Sequence, residues 1–383
     1  MAKRRKKLVI RDSRRTFGRL ALVLLAALVL VGAALAAVFF AKSCGVLLST
    51  RSLPFGSASK YVGTEDGILY LRGGALNFYS FEDEDLNYTL PLANEPEGIV
   101  GSRGIKAVHT DNTVQIIDAP FNIELDGSIE RVLCGSKNIA VYKRRPDDGY
   151  ELRIYNTSGQ QVLQLPGTLN GQEYYSYGRL VDFGFSEARG SVLWTMELDT
   201  SSGTPRTTIT TFDLDRMTNS GIITVQGQLV ERVFFTDSSI FVVGTESLIR
   251  YGASDNREKY RVQVYGYRVE DMSLSGSRPT MLLSPREGGE NAGMARLLTV
   301  SEKDVAGETA VSVRLPEGAV GCKMVNGMLA VVTANDVRLY NTSGDQAELL
   351  GFNEIAITSC EKLDEHHILL ERSGEYSLLT VGK

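Results

Sequence analysis

The sequence is poor in the residues that most often build metal centres and disulfide frameworks. Its 383 residues include three histidines, four cysteines and one tryptophan. There is no CxxC pair and no Cys/His group with zinc spacing, and four scattered cysteines are too few for a disulfide-stapled domain. No glycine-rich phosphate loop follows an apolar strand. We therefore name no catalytic, cofactor-binding or metal-binding residue and expect no cofactor, and the sequence favours a protein that is not an enzyme.

The few groups that could do chemistry all have ordinary structural explanations. His109 is predicted to lie at a strand end, and His366 and His367 straddle the start of a strand, so their rings point to opposite faces and cannot chelate one metal. Ser186 lacks the second glycine of a nucleophile elbow. Two acidic stretches lack the ligand pattern of a calcium loop and are predicted to be solvated turns: residues 82–85 and 213–215.

Charge is distributed unevenly along the chain. The formal net charge is −5, but residues 1–19 hold nine basic residues and one acid, which leaves −13 for the remainder. A basic tail suits anionic lipid headgroups. The acidic remainder has nothing to neutralise a row of phosphates, so nucleic acid is not an expected partner.

One long apolar run follows the basic tail. Residues 20–41 are 22 consecutive uncharged residues, mostly aliphatic, and as a helix they would extend about 33 Å, enough to span a bilayer. The positive-inside rule places residues 1–19 in the cytoplasm. We therefore predict a cytoplasmic tail (1–19), a transmembrane helix in contact with lipid (20–41) and an extracytoplasmic domain (42–383). The predicted location is the cell membrane, with a single pass.

Two processing alternatives stay open beside the retained anchor. The small residues at 34 and 36 resemble a signal-peptidase site but lie inside the apolar run, and Lys42 spoils a lipoprotein signal at Cys44. Residues 13–17 (Ser-Arg-Arg-Thr-Phe) resemble the core of a twin-arginine export signal. The Leu- and Val-rich run is more apolar than such signals, which favours the anchor.

Beyond residue 42 the pattern is that of an all-β protein. Short runs of β-branched and aromatic residues alternate with Gly, Asn, Asp and Ser clusters, and no long stretch keeps a helical period. An internal repeat is visible because Tyr-Asn-Thr-Ser-Gly occurs at residues 155–159 and again at 340–344. Asn and Gly supply turn chemistry at both places. Around these repeats the chain divides into four-stranded units of about 40 residues, as in a β-propeller.

Four units are clear, three are weaker and the last is one strand short. The clear units begin at residues 129, 178, 230 and 319, and the weaker ones cover residues 60–98, 99–127 and 266–316. The final unit, from residue 355, has three strands, and residues 46–52 are predicted to donate the fourth, so that no edge stays unpaired. We predict eight blades. Seven blades remain possible because 266–316 is ambiguous, and a pair of two-sheet sandwiches is a further alternative.

Some features are placed by this blade assignment. Cys134, Cys322 and Cys360 each end a first strand, nearest the channel, where they are predicted to be small buried hydrophobes, and a Cys322–Cys360 bridge between adjacent blades stays open. Two polar insertions, residues 199–205 and 286–293, are candidate binding loops or plain connectors. On this assignment the anchor leads almost directly into the closing strand.

With its basic tail, single membrane helix and blades such as residues 138–142 and 152–159, the chain resembles uncharacterised single-pass membrane proteins of anaerobic Gram-positive bacteria with a WD40-like or quinoprotein-like propeller. That resemblance implies a fold but no activity and no site residues. The lone Trp194 does not fit the Trp-bearing blades of quinone-dependent dehydrogenases, and sialidase-type boxes are absent. We predict an anchored scaffold that binds a protein or another envelope component. The alternatives are an exported enzyme or ligand sensor with a site in the channel, and a twin-arginine substrate that carries a cofactor.

Overall fold

The computed structural model describes residues 48–382 apart from 118, 120, 147–148, 187–191, 276–277, 287–292, 302–308 and 353–354. Within this part, strands are separated by turns and one 3₁₀ turn at Glu84–Leu86. No helix among the described residues has the length and apolarity to cross a bilayer. The predicted membrane helix at 20–41 and the tail before it lie outside the described residues.

Thirty-two of the described strands form eight four-stranded antiparallel sheets, which are the blades. The first strand of the chain is β1 (Leu48–Gly56). Blade 1 contains β2 (Tyr61–Gly63), β3 (Gly67–Arg72), β4 (Ala75–Ser80) and β5 (Tyr88–Pro91). Blade 2 contains β6 (Gly98–Gly101), β7 (Lys106–His109), β8 (Thr113–Ile116) and β9 (Asn122–Glu124). Blade 3 contains β10 (Arg131–Cys134), β11 (Asn138–Arg144), β12 (Tyr150–Asn156) and β13 (Gln161–Leu165).

A separate hairpin, β14 (Gly167–Leu169) and β15 (Gln172–Tyr174), stands between blades 3 and 4. Blade 4 contains β16 (Arg179–Ser186), β17 (Val192–Asp199), β18 (Arg206–Asp213) and β19 (Thr218–Gln226). Blade 5 contains β20 (Val230–Phe235), β21 (Ser239–Gly244), β22 (Ser247–Gly252) and β23 (Glu258–Gln263). Blade 6 contains β24 (Tyr267–Ser273), β25 (Thr280–Pro285), β26 (Met294–Thr299) and β27 (Val311–Arg314). Blade 7 contains β28 (Ala319–Val325), β29 (Met328–Thr333), β30 (Asp336–Tyr340) and β31 (Gln346–Gly351).

Blade 8 joins the two ends of the described chain. It contains β32 (Ile357–Lys362), β33 (His367–Arg372) and β34 (Glu375–Val381), and β1 pairs antiparallel with β34, Leu48 opposite Val381. Eight blades and closure by an N-terminal strand are therefore confirmed, and the ambiguous stretch 266–316 is blade 6. The closing strand runs from 48 to 56 rather than from 46 to 52.

The apolar core lies between neighbouring blades. Each buried cluster draws on two adjacent blades: Val141 and Ile116 meet between blades 3 and 2, and Leu282 and Val331 meet between blades 6 and 7. First strands of successive blades contact one another, as β2 and β6 or β28 and β32 do. The first strand of each blade is therefore innermost, as predicted from the sequence.

Strand direction defines two ends of the propeller. Within each antiparallel blade the first strand begins, and the fourth strand ends, at the end where the chain crosses to the next blade. We call this end the crossover rim. It also holds the described turns between second and third strands, including the polar insertion at 199–205. Most of the other insertion, 286–293, lies outside the described residues. Because β1 is a fourth strand, Leu48 lies at the opposite rim, beside Val381.

The repeated Asn-Thr-Ser-Gly segments form two matching turns on the opposite rim. Asn156 Oδ1 accepts hydrogen bonds from the backbone N–H groups of Ser158 and Gln160, each at 3.0 Å. Asn341 repeats this pattern at 2.9 and 3.0 Å. Gly159 and Gly344 have φ of +72° and +84°. The turn chemistry predicted from the sequence is confirmed at both sites.

Gly159→Ala is expected to lower the free energy of unfolding by about 2 kcal/mol. A Cβ on this residue would add left-handed strain of roughly 1 kcal/mol and would stand 2.5 Å from Cε2 of Phe121, in the turn between β8 and β9 of blade 2. Gly171 is the matched control, because it has φ of +78° with open space around its Cβ position. Chemical denaturation should show the smaller, strain-only loss for Gly171→Ala. Equal losses for the two variants would contradict the crowding at Gly159.

Candidate functional site

Exposed large apolar side chains concentrate on the crossover rim. Among the described residues nine such side chains are exposed, from 40% to 69%. Six of them lie where one blade passes to the next: Tyr175, Tyr177, Val181, Leu229, Tyr265 and Ile355. Of the other three, Leu86 lies in a turn on the opposite rim, and Ile222 and Leu349 lie on outer strands. The apolar surface of the described propeller is thus biased to one rim.

A repeated irregularity shapes this rim. The pairing of the first and second strands shifts by one residue near the start of the first strand in blades 4 to 8, for example between Leu180 and Asp182 and between Ala319 and Gly321. Such a bulge leaves one extra residue and redirects its side chain. Val181, Glu231 and Glu270 are the extra residues in blades 4, 5 and 6. Nothing in the sequence pattern marked these bulges.

Charged side chains surround the channel mouth at this rim, mostly in ion pairs. Arg131 Nη1 lies 2.8 Å from Asp182 Oδ1, which joins blades 3 and 4. Arg286 makes a two-pronged pair with Glu231, at 2.8 and 2.9 Å. Other inner-strand arginines at this rim are Arg179, Arg232 and Arg268.

Glu270 combines burial with several donors. Its carboxylate accepts hydrogen bonds from Ser284 and Arg268. Burial alone would raise the pKa of Glu270, but these hydrogen bonds and the nearby Arg268 and Arg232 charges lower it overall. Glu270 is therefore held as a carboxylate, which suits an ion-pair partner better than a proton donor.

Glu197 is the most deeply buried carboxylate near the rim. It is 3% exposed and accepts hydrogen bonds from Tyr150 Oη at 2.8 Å, Ser176 Oγ at 2.9 Å and the Tyr177 N–H at 3.1 Å. Glu197 thus ties the segment after the β14–β15 hairpin to blades 3 and 4. Burial raises the pKa of Glu197, and these hydrogen bonds offset the rise only in part.

The raised pKa of Glu197 predicts a distinct pH dependence. Between the ordinary value of 4.5 and the raised native value, the folded protein binds more protons than the unfolded chain. The Glu197 contribution to the free energy of unfolding therefore falls as pH rises through that interval. Glu197→Gln removes this pH dependence. As the pH rises from 4 to 7, the free energy of unfolding of the variant should therefore increase relative to that of the unmodified protein. Urea titrations across that range measure the difference, and parallel curves for the two proteins would contradict it.

The histidines and acidic stretches named from the sequence do not come together. His109 ends β7 and its ring lies over Gly98, while His367 Nδ1 lies 2.8 Å from Asp364 and its ring stacks on Phe81 at 4.0 Å. His366 Nδ1 contacts the Val381 carbonyl instead. No group of His, Cys, Asp and Glu among the described residues could hold a metal ion.

The remaining candidates lie in ordinary structure. Residues 82–85 lead into the exposed 3₁₀ turn, capped by Asp83, and Asp215 lies 3.4 Å from Lys137. Ser186 is the buried last residue of β16.

The inner-strand cysteines are free thiols in this structure. Burial raises the pKa of Cys134 and of Cys322 to about 12. Cys134 ends its strand as predicted, but β28 and β32 continue past Cys322 and Cys360. Cys360 Sγ occupies the space where a Cβ on Gly321 would stand. Cys322 itself packs against the apolar cluster between blades 6 and 7, and no disulfide joins it to Cys360.

Comparison with known proteins supports the fold. BamB from Moraxella catarrhalis is 12% identical with a TM-score of 0.50, and the match covers 88% of this chain and 99% of that one. Sqt1 from Saccharomyces cerevisiae is 10% identical with a TM-score of 0.51, over 87% and 98% of the two chains. No family model matches the sequence, and a search of curated proteins found no match. At these identities the likeness shows the fold alone: the chain is similar to solved eight-bladed propellers of the WD40-like and quinoprotein-like kind.

Proposed function

We propose that the protein is a membrane-tethered extracytoplasmic scaffold that binds another protein on its crossover rim. The observation that carries this proposal is the clustering of six of the nine exposed large apolar side chains on that rim. Tyrosine and arginine are enriched where proteins bind one another, and exposed apolar side chains gathered on one surface are typical of such sites. The charged groups at the channel mouth are largely paired with one another, which favours a docking surface over a catalytic set.

The proposed tether rests on the sequence and on where the chain joins the propeller. Residues 20–41 have the length and apolarity of a membrane span. Six residues, 42–47, separate that run from β1, and fully extended they reach about 20 Å. Within the described propeller, β1 begins at the rim opposite the crossover rim.

A ligand-sensing propeller remains the second candidate function. The observation in its favour is that first strands carry arginines and acids at the crossover rim, among them Arg131, Asp182 and Glu270. A small ligand at this mouth would compete with ion pairs that are already formed. Binding of a small molecule to the purified full chain, unaffected by changes to the outer rim, would favour this candidate.

Crosslinking in intact cells tests the scaffold proposal. Full-length protein should capture a specific partner, and replacing Leu229, Tyr265 and Ile355 together with serine should abolish that capture. The matched control is Leu86→Ser, because Leu86 is 57% exposed but lies on the opposite rim. Capture that survives the triple variant, or that is equally lost in Leu86→Ser, would contradict the assignment of the binding surface.

Cell-surface labelling tests the topology separately. A membrane-impermeant amine reagent should modify propeller lysines such as the exposed Lys137 in intact cells. Labelling only after lysis would contradict the extracytoplasmic placement.

A further inference from the structure

A cleft on the crossover rim lies between blades 3 and 4. It consists of two adjoining cavities of about 350 and 230 Å³. Both are lined by Tyr142, Arg144, Arg179 and Leu180, so they form one continuous surface, which we call the blade 3–4 cleft.

Arginine dominates the walls of this cleft. Four arginines line it: Arg131, Arg144, Arg145 and Arg179. Arg131 pairs with Asp182, and Arg144 lies 3.4 Å from Glu130. Arg179 is exposed and makes no ion pair within the described residues. Asp147 and Asp148 of the neighbouring loop lie outside the described residues.

A buried carboxylate fixes one wall of the cleft. The buried Glu197 accepts hydrogen bonds from Tyr150 and Ser176, and both of these residues line the smaller cavity. The same carboxylate binds the Tyr177 backbone N–H. A wall fixed in this way needs little ordering when a ligand binds, which favours affinity.

Apolar groups adjoin the arginines. Tyr175, Tyr177 and Val181 are 69%, 40% and 44% exposed, and the Phe183 ring lies under the Arg131 guanidinium at 4.8 Å. Guanidinium groups beside aromatic rings favour ligands that combine carboxylates with large apolar side chains. A ligand with only carboxylates, or with only apolar side chains, would contact only part of this surface.

We propose that the blade 3–4 cleft binds an extended segment of the partner protein that carries carboxylates beside a large apolar side chain. This inference rests on the proposed scaffold function and names the chemistry of its partner. Charge complementarity supports it, since the exposed Arg179 lines both cavities and makes no ion pair with a described residue, on a domain that is otherwise acidic. Distant acids on the disc are screened beyond about 8 Å at physiological ionic strength, so they do not prevent local recognition.

Fluorescence anisotropy on the full-length protein in detergent micelles tests this proposal. The probe is a labelled synthetic peptide that alternates glutamate with phenylalanine and leucine, and its comparison peptide has every glutamate replaced by glutamine. The glutamate peptide should bind at least about tenfold more tightly, because charge-assisted hydrogen bonds to arginine are the stronger kind. Equal affinities for the two peptides, or no binding of either at millimolar concentration, would overturn the proposal.

Matched charge reversals localise the binding. Arg179→Glu should weaken the glutamate peptide about tenfold or more. Arg216→Glu makes the same change of charge at a side chain that is 83% exposed on the opposite rim, and it should leave affinity within about twofold. Equal losses for the two variants would show a diffuse charge effect and overturn the cleft assignment. Thermal unfolding should be unchanged in both variants.

Two competitors test whether the cleft binds a protein carboxylate or another kind of anion. Inorganic phosphate, or vesicles rich in phosphatidylglycerol, should fail to displace the glutamate peptide at physiological salt. Displacement by either would overturn the protein segment as occupant. The outcome is distinguishable from failure of the scaffold function. If crosslinked capture depends on the rim but not on Arg179, only this inference fails; if capture does not depend on the rim, the scaffold proposal fails.

Discussion

Phe55→Ala is expected to lower the free energy of unfolding by about 4 kcal/mol, within the range for truncation of a large buried aromatic residue. The Phe55 ring is 5% exposed and stacks on Tyr70 at 4.4 Å, with Tyr61 and Tyr376 at 5.8 and 5.6 Å. Phe55 belongs to β1, whereas Tyr376 belongs to β34 and the other two rings belong to blade 1. Truncation therefore weakens the contact that closes the ring.

Phe78→Ala is the matched control for the closing strand. Phe78 is also 5% exposed but stacks on Tyr88 within blade 1. Both variants should lose stability in chemical denaturation, but only Phe55→Ala should speed amide hydrogen exchange in β34 under native conditions. If exchange in β34 responds equally to the two variants, Phe55 has no special role in closure.

Asp271→Ala is expected to lower the free energy of unfolding by about 2 kcal/mol, because it leaves the Met324 backbone N–H without its acceptor. It also removes one of the two carboxylates beside the part-buried Lys362, which keeps Glu365 at 2.9 Å. Asp271 Oδ2 accepts a hydrogen bond from the Met324 N–H at 2.8 Å, and Oδ1 lies 3.6 Å from Lys362 Nζ. The two charged side chains are 16% and 17% exposed. Asp271 on β24 thereby joins the first strands of blades 6, 7 and 8.

Two further variants separate the parts of this connection. Asp271→Asn keeps an acceptor for Met324 but removes the charge, so it should lose less stability than Asp271→Ala. An exposed pair serves as the control: Glu258→Ala breaks the Arg261 pair, with both side chains 42% exposed, and should cost under about 1 kcal/mol. A double-mutant cycle with Lys362→Met measures the coupling, and a value near zero would contradict the proposed connection.

Features of this fold that depend on a few neighbouring residues are predictable from the sequence, and features that depend on distant contacts are harder to predict. The turns at Asn156 and Asn341 were predictable because one side chain and one glycine determine them. The closing strand was predicted at residues 46–52, whereas β1 continues through Pro54 to Gly56. Proline is tolerated in β1 because this is the outermost strand, whose free side needs no N–H.

The β14–β15 hairpin was missed although its signal is present. Asn170 and Gly171 both have positive φ, +49° and +78°, which is the turn that an Asn-Gly pair favours between two strands. The polar flanking strands hid this signal. The strand bulges near the crossover rim left no such trace, because the apolar alternation is the same with and without them.

The blade 3–4 cleft is predictable from the sequence only in part. Arg131 and Arg179 are 48 positions apart, and they meet only because both begin first strands of adjacent blades at the same rim. Once the blades are assigned, that proximity follows from the sequence. Two other features depend on side-chain packing, which the sequence pattern does not show. Arg179 makes no ion pair within the described residues, and Glu197 holds Tyr150 and Ser176 by hydrogen bonds.

The pairing of β1 with β34 also means that β1 is synthesised long before its partner strand. Leu48 and Val381 are partners 333 positions apart, and at 5–20 residues per second of synthesis that interval takes on the order of 20 to 70 seconds. The hairpins of each blade form from neighbouring segments, but β1 has no partner until β34 has been synthesised. Its polar stretch from Ser49 to Ser52, with Arg51 at its centre, suits a strand that must wait without pairing to a neighbouring molecule.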